Sequence, residues 1–136
     1  MARYDFSRLS VLVVEDSRFM RSLLVTTLRA LGVERVMTAE NGQEALEKVS
    51  EIKPKFAENL MYLGLLNESI GADSTAQSWY SQAIKAYDER IENNQSIISN
   101  KINRAYLLFF TEGKEQALKA FEAVKLEYPN SEEVLY

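Results

Sequence analysis

The hydrophobic period changes at Pro54, and that change limits this 136-residue chain to folds that join a short βα segment to a run of helices. Before it, LSVLVV at residues 9–14 is an apolar, β-branched run ending in the acidic pair Glu15-Asp16, the pattern of a strand buried on both faces. SRFMRSLLVTTLRALG follows, with Phe19, Met20, Leu23, Leu24, Leu28 and Leu31 on one helical stripe, Asp16 or Ser17 as cap and Gly32 as stop. VERVMTA at 33–39 alternates as a second strand, and the turn Glu40-Asn41-Gly42 leads into a helix over 43–52. A right-handed crossover sets the two strands parallel.

After Pro54 the β-branched runs cease. Amphipathic patterns predict helices over 55–70, 73–93, 96–111 and 114–128, with Gly71 and Gly113 punctuating two hairpins and NNQS at 93–96 separating them. Trp79 and Tyr80 read as packing residues, YLLFF at 106–110 is too apolar to be wholly exposed, and DERIE at 88–92 reads as a solvated face with i,i+4 pairing.

Composition narrows the chemistry. A net charge of -4 provides no broad positive field for nucleic acid or an anionic membrane. Histidine and cysteine are both absent, which removes disulfides, thiolate nucleophiles, Ser-His-Asp chemistry and the usual zinc, copper and haem ligands. MARYDFSRLS lacks the apolar run of a signal peptide, and no stretch approaches the ~20 apolar residues that span a bilayer. The expectation is a cytoplasmic, non-enzymatic protein that binds protein or peptide, with no nucleic-acid or membrane partner.

VLVVEDSRFMRSLL, followed by LGVERVMTAENGQEALEKV, resembles the opening of a response-regulator receiver domain of the chemotaxis-protein class, over residues 9–49. The resemblance implies that Glu15 and Asp16 match the acidic pair that binds Mg²⁺ beside a phosphoacceptor aspartate on the third strand. That aspartate has no match here: beyond Asp16 the only aspartates are Asp73 and Asp88, both in the helical region. Glu15-Asp16 therefore has two readings, a weak Mg²⁺ site or a carboxylate pair that only caps a helix N-terminus.

From residue 45 onward the chain resembles tetratricopeptide repeats (TPR), paired helices with small and large residues at fixed offsets. Leu60, Leu63 and Gly64 fit the first helix of a repeat, and Ala76, Tyr80 and Ala83 fit the second. Ala105, Ala117, Phe121 and Pro129 continue the pattern, and the spacing from Pro54 to Pro129 makes the helix over 73–93 about two turns longer than usual. The resemblance implies a peptide-binding surface at Glu58, Met61, Tyr62 and Leu65 on one helix, and at Ser99, Ile102, Asn103, Tyr106 and Phe109 on another. Met61, Leu65, Ile102 and Tyr106 also fit a plain core role, so Asn103 and Tyr62 are the better binding candidates.

The expected fold class is α+β: a two-stranded parallel β-α-β-α half-receiver unit, residues 1–52, continuing into TPR-like helical hairpins, residues 43–136, with the helix 43–52 shared. An unfinished receiver and a last repeat that stops after NSEEVLY point to a chimera, engineered or recombined, over a natural divergent protein. The expected function is a non-catalytic interaction scaffold without a firm cofactor. The alternative is a response regulator of a two-component phosphorelay. An unpaired edge on the first strand further implies a homodimer.

Overall fold

The computed structural model describes residues 4–95 and 97–135, so the expected helix start at Ser96 lies outside the described residues. The fold is α+β and mostly helical, and the chain divides into two compact units, Met1–Ile52 and Lys53–Tyr136.

In the first unit, β1 (Ser10–Val14) and β2 (Arg35–Ala39) pair in parallel, with Leu12 opposite Met37 and Val14 opposite Ala39. The crossover between them is α1 (Arg18–Ala30), and α2 (Gly42–Ile52) follows β2; each helix packs on both strands. Ser17 caps α1 by accepting a hydrogen bond from the Met20 N–H at 3.3 Å. The side chain of Asn41 accepts from the Glu44 N–H at 2.9 Å, which holds the first turn of α2.

One expectation is corrected here. β1 is not buried on both faces, since Val13 is buried, Val11 and Leu12 are half-buried, and Val14 stays 48% exposed. The α1 stripe is open as well: α1 buries no residue and Phe19 is 75% exposed. The physical reason is the same for both. A sheet of two strands is too narrow to shield a strand from both sides or to cover the full width of a helix.

In the second unit, α3 (Ala57–Ser69), α4 (Asp73–Glu92), α5 (Ile97–Thr111) and α6 (Lys114–Glu127) each pack against the next, and α7 (Glu132–Leu135) rests on α5 and α6. Gly71, with φ 77°, turns α3 into α4, and Gly113, with φ 95°, turns α5 into α6; both angles favour glycine. Short connections between packed neighbours make these helices antiparallel hairpins. α4 has 20 residues and α6 has 14.

The core of this unit joins Ala57, Leu60 and Met61 of α3, Ala76, Tyr80, Ala83 and Tyr87 of α4, and Leu107 of α5. Small residues bring the backbones close enough for the large ones to fill the seams. At Gly64 a methyl group would overlap the Tyr80 ring, so that contact requires glycine. Tyr80 stacks on Phe110 with ring centroids 4.9 Å apart and donates its hydroxyl hydrogen bond to the Glu68 carboxylate. Burial first, and then that carboxylate, push the Tyr80 hydroxyl pKa up.

Candidate functional site

The acidic pair sits at the C-terminal end of β1. The Glu15 N–H donates to the Ala39 carbonyl at 3.0 Å, which extends the parallel ladder one residue past the strand. The half-buried Glu15 carboxylate accepts from the Ser17 N–H at 2.9 Å. Arg21 donates to the Glu15 carbonyl at 2.7 Å and pairs with the Glu40 carboxylate at 3.2 Å. A hydrogen bond with Glu15, followed by the Ser17 N–H, holds the Asp16 carboxyl below its ordinary range. Among the described residues no three acidic, histidine or cysteine side chains gather to hold a metal ion. One of the two carboxylates serves the helix start and a guanidinium stands beside them, so this donor set does not make a complete Mg²⁺ site.

The nine residues expected to bind a peptide separate into two groups. Around α4, Glu58, Met61, Tyr62 and Asn103 converge on Tyr87 and Arg90. Arg90 donates to Glu58 Oε1 at 2.6 Å and reaches Asn100 Oδ1 at 3.5 Å. Its guanidinium also lies 5.7 Å from the ring centres of Phe56 and Tyr87. Burial raises the Glu58 carboxyl pKa, but the Arg90 hydrogen bond, a backbone N–H and the Arg90 charge outweigh it, leaving the group below the usual range. Glu58 Oε2 is itself buried and has no hydrogen-bond partner among the described residues. The fully buried Tyr87 donates to Met61 Sδ at 3.9 Å, and burial above all, then the Glu58 charge, drives its hydroxyl pKa upward.

Met61 belongs to the core, and Leu65 packs against it, while Tyr62 stands 51% exposed. The exposed Ser99 falls one residue before Asn100 on α5. Ile102 and Tyr106 line a cleft of about 570 Å³ with Leu118, Phe121 and Lys125 of α6 and Glu133 of α7; Asn103 reaches this cleft as well. Phe109 lines a neighbouring apolar recess of about 350 Å³ that shares Tyr106, Leu118 and Phe121.

Sequence reasoning missed Tyr87 and Arg90, and it misread 88–92. Asp88 pairs with Arg104 of α5, Glu89 with Lys55 in the turn before α3 at 3.2 Å, and Arg90 with Glu58 of α3, so these charges reach outside α4. The available signal was an aromatic and an arginine three residues apart on a helix that follows one carrying Glu58 and Glu68.

Among the described residues no helix is long and apolar enough to cross a membrane. No family model matches the chain, and no solved structure does. Chemotaxis protein CheY of Thermotoga maritima is 46% identical over 44 residues, which cover 32% of this chain and 37% of that protein. Chemotaxis protein CheY of Listeria monocytogenes is 41% identical over 46 residues, 34% of this chain and 39% of that protein. A protein-glutamate methylesterase/protein-glutamine glutaminase of Halobacterium salinarum is 49% identical over 43 residues, 32% of this chain and 12% of that protein. The chain spans less than two-fifths of the length of each of these relatives. Such partial similarity, together with the β-α-β-α order of the first unit, makes the N-terminal part of the chain receiver-like.

Proposed function

We propose that this chain is a non-catalytic protein-interaction scaffold, in which TPR-like hairpins present a peptide-binding surface on α3 and α5. The observation that carries the reading is the Glu58 carboxylate. One oxygen is fixed by Arg90 and the other is buried without a donor. An unsatisfied buried acceptor costs about 1–3 kcal/mol, and a turn of the side chain that brings this oxygen out to a ligand N–H or ammonium group would recover that cost. Exposed Tyr62 nearby, with Tyr106 and Asn103 on the cleft along α5, adds amphipathic surface suited to a peptide. On the same reading residues 43–52 serve both sequence patterns, and the chain is a chimera of a receiver opening and helical repeats.

The test is selection from a displayed random-peptide library, with binding sites mapped by NMR shifts on the whole chain. The expected peptides perturb Glu58, Tyr62 and Asn103 and lose about tenfold or more in affinity to Glu58→Gln, the scale of a charge-assisted hydrogen bond. Peptides that map elsewhere and ignore this substitution contradict the reading.

A second reading, a response regulator, is supported by the similarity to CheY. It lacks an acceptor: Asp73 begins α4 and Asp88 is paired with Arg104. Incubation with acetyl phosphate and Mg²⁺ is therefore expected to give no hydroxylamine-sensitive phosphate, and a stoichiometric gain of one phosphate would establish the rival.

A further inference from the structure

The first unit ends in an open sheet edge whose polarity can be read atom by atom. The Glu15 N–H points at β2, and peptide groups alternate along a strand, so the N–H and C=O groups of Val11 and Val13 also face β2. Those of Ser10, Leu12 and Val14 face the other way. Among the described residues β1 has no strand partner on that side. Three residues thus offer three donors and three acceptors on an apolar edge, a template for another strand.

We infer that this edge pairs with the same edge of a second copy, antiparallel and centred on Leu12, giving a four-stranded sheet ordered β2-β1-β1-β2. Two independent features select a second copy in this register. First, pairing Leu12 with Leu12 and Ser10 with Val14 of the mate is the one antiparallel register in which all three outward residues of both strands exchange hydrogen bonds.

Second, the helices fit. A two-fold axis through the paired Leu12 residues is perpendicular to the sheet and puts both copies of α1 on one face. Strands lie about 4.8 Å apart, so β1 is about 2.4 Å and β2 about 7.2 Å from that axis. Resting on both strands, α1 lies about 5 Å from it, and the two copies stand about 10 Å apart, the separation of packed helices. Met20, Leu24 and Leu31 run along one exposed flank of α1, apolar material for such a contact. The pairing answers the open edge and the bare helix together.

Because the chain contains no cysteine, single substitutions report the register directly. In the Leu12-centred dimer the two Leu12 Cα atoms stand about 5.5 Å apart, within disulfide range, whereas the two Val14 residues are displaced along the strands by more than about 10 Å. Under mild oxidation of the full chain, Leu12→Cys is expected to form covalent dimers and Val14→Cys to stay monomeric. Sedimentation of the unmodified chain should show a dimer at high micromolar concentration, weakened roughly tenfold or more by Val14→Pro, which removes one of the outward N–H donors of the edge. A monomer throughout that range, or cross-linking of Val14→Cys as fast as Leu12→Cys, would overturn the inference.

Discussion

The two units are built from similar proportions of apolar sequence and reach different degrees of closure. In the second, α3 to α6 bury whole aromatic rings: Tyr80, Tyr87 and Leu107 are inaccessible, and Leu63 nearly so. The first contains both β-branched strands, yet its buried apolar set is Val13, Val33, Ala39 and Ala45. The difference lies in how each architecture closes. A helical hairpin finds the partner for its apolar stripe a few residues along the chain, so each added helix covers the one before it. A parallel strand pair needs further strands and helices on both faces before its apolar residues leave water, and two strands do not supply them.

That contrast can be broken most severely at Gly64. Gly64→Ala forces a methyl group against the Tyr80 ring, which cannot move without disturbing its stack on Phe110. A loss of about 2 kcal/mol is expected in urea denaturation of the chain, because overpacking outweighs the modest gain in helix propensity. At the other extreme, Phe19→Ala removes a larger side chain from a position 75% exposed in the first unit. In dilute solution its cost should stay within about 0.5 kcal/mol. If the two substitutions cost the same, the packing contrast between the units is wrong.

Most of the element order was legible from the sequence. The strand expected over 9–14 is Ser10–Val14, the one over 33–39 is Arg35–Ala39, and the helix expected over 73–93 is Asp73–Glu92. Local pattern sufficed for these because caps and turn residues act within a few positions: Ser17, Gly71 and Gly113 stop or start helices wherever they occur. Exposure was not legible in the same way. The stripe from Phe19 to Leu31 has the spacing of a buried face, but whether it is buried depends on how many strands lie beneath it. The candidate site was half visible. Glu58, Tyr62 and Asn103 were reached through repeat offsets, whereas Arg90 was hidden because its partner lies 32 residues away, and only the packing of α4 on α3 brings the two together.

Amide hydrogen exchange on the whole chain, at a concentration low enough to keep it monomeric, measures the contrast directly. Exchange from the best-protected amides reports the free energy of opening each unit. The strongest protection is expected in the helix interiors at residues 80–84 and 117–121, with the strand at 11–14 exchanging markedly faster. Protection at 11–14 equal to or above that of these helices would contradict the account, because it would mean that the two-stranded unit, and not the helical one, holds the stable core.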